Sequence, residues 1–351
     1  MKLKPLPLLL ATLLGASSGA QAADLLETFR AAQANDPVFA AARATLQAGQ
    51  EKLPQGRSLL MPNISLSANS TFNDSTIQYR GATFLPGGNI RYNSHGYGVN
   101  LAQPLFRQQN WLAYTEAELQ VAQAEAQFRI AEQDLMLRVA QAYFDVLIAH
   151  DSVQLAEAQK TAIAEQLEQA KRNFEVGSAT ITDTHEAQAR YDLTSAQEIA
   201  AQNNLEIKKR ALQQLVNAMP KDLRHLGKGF KLEAPQPADM EKWVDDAQLN
   251  SLQLAIAQAG AEIAGKEVAR NRGGHYPTVD LVANYSNNQS NGGNFGVGSD
   301  NTSKSVGVQL NMPLFQGGAT QSRWREAEAN HERARQELEN TRRSIALQTR
   351  Q

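Results

Sequence analysis

The sequence predicts a mainly α chain with β segments, organised as two tandem structural repeats, and three observations predict it. Short sequence blocks recur in the same order roughly 210 residues apart. Each copy contains two segments in which apolar and polar residues alternate strictly. Most of the remainder is rich in strong helix formers with apolar residues at heptad spacing. The 351 residues suffice for one large domain or two ordinary ones.

The amino terminus reads as an export signal, residues 1–22. Lys2 and Lys4 form a basic start, Leu6 to Leu14 is almost wholly apolar, and Ala20-Gln21-Ala22 fits a small-x-small cleavage site. The apolar stretch is too short to span a bilayer as a helix, and nothing after it approaches the ~20 apolar residues that spanning needs. A membrane-embedded form of this chain must therefore be a closed β-barrel. With no cysteine, the chain has no disulfides, thiolate metal site, thiol nucleophile or lipidated amino-terminal cysteine. A formal net charge of -2 gives no general electrostatic reason to bind nucleic acid.

The first repeat spans 23–220. It opens with a helix over about 25–53 and continues into a β-hairpin over 62–106. Ile64, Leu66, Ala68 and Phe72 alternate with Asn63, Ser65, Ser67, Asn69 and Thr71, and Tyr97, Val99 and Leu101 alternate with Gly98, Asn100 and Ala102. A membrane strand and a half-buried strand of a soluble sandwich both produce this pattern. The hydrophilic face is Ser, Asn, Thr and Gly with few charges and four strands cannot close a barrel alone, so composition leaves both readings open.

Residues 109–174 contain neither Gly nor Pro, which predicts one helix of roughly 100 Å. Leu135, Val139, Ala142, Val146, Ala149, Val153, Ala156, Ile163, Leu167, Ala170 and Phe174 form one heptad seam, interrupted at Lys160. A second stripe runs through Leu119, Ala122, Ala126, Ile130, Leu137, Ala140, Phe144 and Leu147. Two seams let a helix touch neighbours on both sides, as in a closed tube or in an ordinary helical bundle. Gly177 terminates the helix. A return helix over 184–217 follows, capped by Thr182 or Asp183 with Glu186 completing the box, and carries Leu193, Ala196, Ala200, Leu205, Leu212 and Leu215 on its seams. The return arm is about half the length of the outgoing one, and helix 25–53 has the length to complete the pair by end-to-end stacking.

Residues 221–239, with Gly227, Gly229, Pro235 and Pro237, read as a linker. The second repeat spans 240–351: a helix over 241–270, a β-hairpin over 277–315 and the start of a long helix. Pro62 and Pro277 lie 215 positions apart, as do Asn35 and Asn250, whereas Phe106 and Phe315 lie 209 apart. The hairpin loop is thus longer in the first copy. The second long helix reaches Gln351 after about a third of the length of the first, so the second copy is read as incomplete by roughly 100 residues.

The run Asn173-Phe174-Glu175-Val176-Gly177-Ser178-Ala179-Thr180-Ile181-Thr182-Asp183, followed by Ala187-Gln188-Ala189-Arg190-Tyr191-Asp192, resembles the TolC family of outer-membrane channels. Pro62, Gln103-Pro104-Leu105-Phe106, Ala142-Tyr143-Phe144 and Leu314-Phe315-Gln316-Gly317-Gly318 carry the resemblance across nearly the whole mature chain. It implies long coiled-coil hairpins forming an α-barrel tunnel, with four strands per chain in a homotrimer's twelve-stranded transmembrane β-barrel. The location implied is the bacterial outer membrane, with the tunnel extending into the periplasm. The function implied is a passive exit duct for efflux of small molecules or type I secretion of proteins. Its partners would be outer-membrane lipid, a periplasmic adaptor protein and an inner-membrane ABC or proton-driven pump. By the same resemblance Val176, Gly177 and Ser178 form the tip that meets the adaptor. Thr182 and Asp183 help hold a periplasmic gate closed, and the Tyr and Arg that answer them belong to a second hairpin beyond this sequence. The alternative is a periplasmic adaptor, which also carries a long helical hairpin but no duplicated strand–helix unit.

Catalysis has no support. His95, His150, His185, His225, His275 and His331 show no metal-ligand spacing and read as ordinary loop or helix-surface residues, so no metal and no cofactor is expected. Gly292, Gly293, Gly296 and Gly298 do not precede a helix start and fail the phosphate-loop test.

Overall fold

A computed structural model describes residues 23–78, 88–220, 222–225, 227, 236–293 and 297–351. The export signal at 1–22, most of the proposed linker including Gly229 and Pro235, and Gly296 lie outside the described residues. The chain is mainly helical with four antiparallel strands. In order come α1 (Leu25–Asn35), α2 (Pro37–Gln50), α3 (Lys52–Ser58), β1 (Asn63–Ile77), β2 (Gly88–Phe106), α4 (Gln108–Glu175) and α5 (Ile181–Val216). Then follow α6 (Met240–Asn250), α7 (Leu252–Arg272), a 3-10 turn at Gly273–His275, β3 (Thr278–Ser290), β4 (Ser299–Asn311) and α8 (Ala319–Arg350). Among the described residues, no helix is long and apolar enough to cross a membrane.

The single helix expected over 25–53 is broken at Asp36. Pro37 excludes its predecessor from the helical region, so Asp36 is extended, and Pro37 takes the first helical position, where its missing N–H costs nothing. The Asp36 carboxylate then accepts from the amides of Phe39 and Val38 at 3.2 and 3.4 Å, capping α2. The helix expected over 241–270 breaks too, at Ser251, whose hydroxyl accepts from the Leu254 amide. Ser251 lies 215 positions after Asp36, the spacing of the two prolines that precede the strands. The break therefore belongs to the repeated unit, although only the first copy uses proline to make it.

The chain divides into two compact units, one of residues 1–41 with 131–233, the other of 42–130 with 234–351. In the first, Ala32, Phe39, Leu135, Val139, Leu212 and Val216 are buried together with the seam residues Val146, Ala149, Val153, Ala156 and Leu167. Lys160 donates to Glu198 at 2.7 Å and Lys208 to Asp145 at 2.8 Å, tying α4 to α5. The expected seam of α5 holds only in its lower part, where Leu212 is buried and Leu205 and Leu215 are half-buried. Thr194, Leu212 and Val216 are buried, whereas Leu193, Ala196, Ala200 and Ile207 form an exposed heptad seam. The second stripe of α4 divides likewise: Leu147 is buried, and Leu137 is 72% exposed.

In the second unit the strands form one sheet in the order β1-β2-β3-β4, every neighbour antiparallel. Helix α3 approaches α4 closely: a Cβ on Gly56 would sit 2.7 Å from that of Ala117, so only glycine fits. At the exit from β2, Arg107 joins three elements. Its carbonyl accepts from the amides of Asn110 and Trp111 at the start of α4, and its guanidinium grips Asp280 of β3 through two bonds of 2.8 and 2.6 Å. A bulge between Pro104 and Phe106 adjusts the register beside this junction.

Candidate functional site

Two features concentrate chemistry: the sheet and the helical hairpin tip. Side chains alternate across a strand, so the register sorts every residue of the sheet to one of two faces. On one face run the rows Ser65–Asn100–Asn284–Ser305, Ser67–Gly98–Ser286–Ser303, Asn69–Gly96–Asn288–Asn301 and Thr71–Ser94–Ser290–Ser299. None of these residues is charged and none is larger than Asn. The opposite face carries Ile64–Leu101–Ala283–Val306 and Leu66–Val99–Tyr285–Lys304, with Leu281, Val308 and Leu310 beside them.

That apolar face stops abruptly. Tyr97 and Tyr285 pack with ring centroids 6.2 Å apart, and the Lys304 ammonium lies 5.7 Å from the Tyr285 centroid. Beyond them the same face becomes a polar network. Asn287 donates to Asp300 and Thr302, Gln289 donates to Asp300, and His95 Nε2 lies 3.0 Å from Gln289 Oε1, donating in the tautomer that places its proton there. A soluble sandwich requires a second layer over the apolar face. Among the described residues none covers it: Ile64, Leu66, Val306, Val308 and Leu310 are all exposed, Val308 to 66%. Charges confined to the end of such a band, with aromatic rings at the junction, are the pattern of a strand face meeting lipid.

At the hairpin tip, α4 ends in a Schellman motif. The amide of Gly177 donates to the carbonyl of Phe174 at 2.9 Å and that of Ser178 to Asn173 at 2.8 Å, which places Gly177 at φ 74°. Val176 is 78% exposed, and Ser178 Oγ donates to the Asn173 carbonyl. The next helix starts earlier than the sequence suggested. Its cap is Thr180, whose hydroxyl accepts from the Asp183 amide, while Asp183 Oδ2 accepts from the amide and hydroxyl of Thr180 at 2.8 Å each. Neither Thr182 nor Asp183 is the cap, and Glu186 pairs with Arg190 instead of completing a box. Thr180-x-x-Asp183 and Asp183-x-x-Glu186 both read as capping boxes, and the earlier one follows at once from a C-terminal motif finished by Ser178. The bonds from the amide, first, and the hydroxyl of Thr180 hold the Asp183 carboxyl below its ordinary pKa. Thr182 and Asp183 are both exposed.

Sequence spacing missed two associations. Arg107 and Asp280 lie in different repeats, and the one available signal was a lone carboxylate among the otherwise uncharged positions of β3. His150 and His225, far apart in sequence, come together beside Asp151.

A duplicated strand–helix unit, a four-stranded sheet with one apolar and one small polar face, and long antiparallel helices define a channel protomer of the outer-membrane efflux and type I secretion class. The family model for outer membrane efflux proteins matches residues 29–218 and 243–351, and the chain belongs to that family. It is 33% identical over 350 residues to the outer membrane protein TolC of Vibrio cholerae, spanning 99% of this chain and 78% of that protein. It is 34% identical over 336 residues to the alkaline protease secretion protein AprF of Pseudomonas aeruginosa, with 93% and 68% covered. The fold matches the crystal structure of the outer membrane protein VceC from Vibrio cholerae with a TM-score of 0.73 at 21% identity, covering 92% of this chain and 75% of that one. The Campylobacter jejuni CmeC outer membrane channel gives a TM-score of 0.75 at 16% identity, covering 93% and 70%. The protein is an outer-membrane channel and not an enzyme. The adaptor alternative falls with the duplicated unit.

Proposed function

We propose that the chain works as a homotrimer in which three four-stranded sheets close a twelve-stranded barrel and the helices of three copies close a tunnel beneath it, a passive conduit for exported molecules. The observation that carries this reading is the sheet. Its margins β1 and β4 have no partner strand among the described residues, and its apolar face is bare. In a bilayer an unpaired edge costs several kcal/mol per polar group, so the edges must be joined. Joining β4 of one copy to β1 of the next satisfies both and turns the small polar face inward, giving a wet bore whose four polar rows carry no charge. The apolar face runs about 20 Å along β3, extended by Phe106, Met312 and Phe315, on the scale of the ~25 Å lipid-facing band of such barrels. The exposed seams of α4 and α5 offer each hairpin a second neighbour.

Within this reading residues 1–22 direct export. Val176, Gly177 and Ser178 present the docking tip to a periplasmic adaptor coupled to an inner-membrane ABC or proton-driven pump. Thr182 and Asp183 contribute to a gate there. Both Thr180 bonds fall on Asp183 Oδ2, so Oδ1 remains able to accept from a neighbouring chain. The test is reconstitution of the detergent-purified protein into planar bilayers, with unheated electrophoresis of the same sample. Discrete conductance steps and a heat-modifiable trimer band are expected. A monomer recovered from the aqueous periplasmic fraction, without conductance, overturns the reading.

A further inference from the structure

Folding sets two of the scattered histidines face to face. The rings of His150, on α4, and His225, in the stretch 222–225, have centroids 5.1 Å apart and are inclined at 58°. Asp151 Oδ1 lies 3.9 Å from Nδ1 of each. One donor atom from each of the three residues lies within 4.8 Å of the others. These separations are too long for direct hydrogen bonds, and His150 Nδ1 is shielded from solvent with no hydrogen-bond partner.

The approach of His225 is set by backbone anchors rather than by its own ring. Ala23 donates to the Asp222 carbonyl at 3.0 Å, and Arg224 returns a bond to the Ala23 carbonyl at 3.2 Å. The Tyr143 hydroxyl lies 2.6 Å from the Arg224 carbonyl and 3.3 Å from that of Ala23. Tyr143 precedes His150 by seven residues, two helical turns, so both lie on the same face of α4. One anchored segment thus delivers an imidazole opposite a second imidazole and a carboxylate.

We propose that His150, Asp151 and His225 form a binding site for a divalent transition cation of the Zn²⁺ type, which clips the stretch 222–225 onto α4. Two imidazole nitrogens and one carboxylate oxygen are borderline donors of the kind Zn²⁺ takes, and three protein ligands leave a fourth position for water. Zinc bonds of about 2.0–2.1 Å in a tetrahedron place ligand atoms roughly 3.3 Å apart. Binding must draw the donor atoms together from 3.9–4.8 Å, and the side chains of His150, Asp151 and His225 are 40%, 67% and 50% exposed. Asp151 follows His150 on the helix and must reach round from the adjacent direction. His150 and His225 line a small cavity together with Lys209 and Asp222, whose charges are opposite. The site does not depend on the trimeric reading.

The test uses the full chain in detergent, free of any histidine tag and stripped with a chelator, then titrated with Co²⁺ and Zn²⁺. The expected result is a tetrahedral Co²⁺ absorption spectrum that Zn²⁺ displaces, together with a Zn²⁺-dependent rise in melting temperature. His225→Gln and His150→Gln are each expected to weaken Zn²⁺ binding about tenfold or more, while His331→Gln leaves it unchanged. His225 is half exposed, so its variant keeps the fold and carries the test even should His150→Gln lose helical circular dichroism. An octahedral Co²⁺ spectrum, or equal Zn²⁺ affinity in wild type and His225→Gln, overturns the proposal.

Discussion

Glu116 and Asp36 are both buried carboxylates, and the chain treats them in opposite ways. Burial lifts the Glu116 carboxyl above its ordinary range; Arg270, with Nε 3.4 Å away, offsets part of this and Glu267 adds to it. The folded state therefore holds this proton more tightly than the unfolded chain, and stability falls as pH rises from the unfolded value to the raised folded one. Glu116→Gln is expected to raise the melting temperature at pH 7 and to flatten its fall as pH rises above the unfolded carboxyl value, whereas Arg270→Ala lowers stability by about 1–3 kcal/mol by leaving the charge unpaired. Thermal melts of the detergent-solubilised chain across that range check both signs. For Asp36, burial also pushes upward, but Arg138 at 2.8 Å and the amides of Phe39 and Val38 outweigh it and hold the pKa below the ordinary value. Its contribution is complete above the unfolded value and is lost as pH falls through the depressed folded one. Neither pairing was legible in the sequence. Asp36 and Arg138 lie 102 positions apart and no local pattern links them.

Elements were more legible than pairings, because their signals are local. The strands announced themselves through Ile64, Leu66 and Ala68 against Ser65, Ser67 and Asn69, a period that the backbone alone converts into two faces. The two faces make a prediction. Val308→Arg on the apolar face is expected to cost about 2–4 kcal/mol if that position lies near the bilayer midplane, and Ser303→Lys on the small polar face far less. The yield of heat-modifiable protein in outer-membrane fractions distinguishes them, and equal losses would contradict the assignment of faces. The long helix was equally plain from its lack of Gly and Pro, and it is found at Gln108–Glu175. What the sequence hid were choices between equivalent local options. The helix break at Asp36 carried a local signal in Pro37, but the one at Ser251 has no proline, and Thr180 and Asp183 each begin a plausible capping box. In these last two cases the winner depends on where neighbouring backbone must go, which spacing does not encode. The candidate site divides the same way: Gly177 was readable as a terminator, while the meeting of His150 with His225 is purely a product of the fold.

For the whole molecule, exposed apolar residues measure how much of the structure a single chain leaves unfinished. Leu137, Ile148 and Leu155 on α4, with Leu193 and Ile207 on α5, face away from the packing within their own unit. Ile148→Asp is expected to leave the hairpin folded, since Lys160–Glu198 and Lys208–Asp145 remain, while lowering the temperature at which the trimer band dissociates. Helical circular dichroism alongside electrophoresis separates the two effects; loss of helicity before loss of the trimer would assign the stripe to intrachain packing instead. The bare margins of the sheet extend this dependence to heredity. In the trimer proposed above, the ring is only as sound as each of its three seams, and every copy takes part in two of them. One copy with a defective margin therefore disables two healthy companions, so lesions in β1 or β4 behave as dominant, and lesions confined to the bore, which break no seam, as recessive.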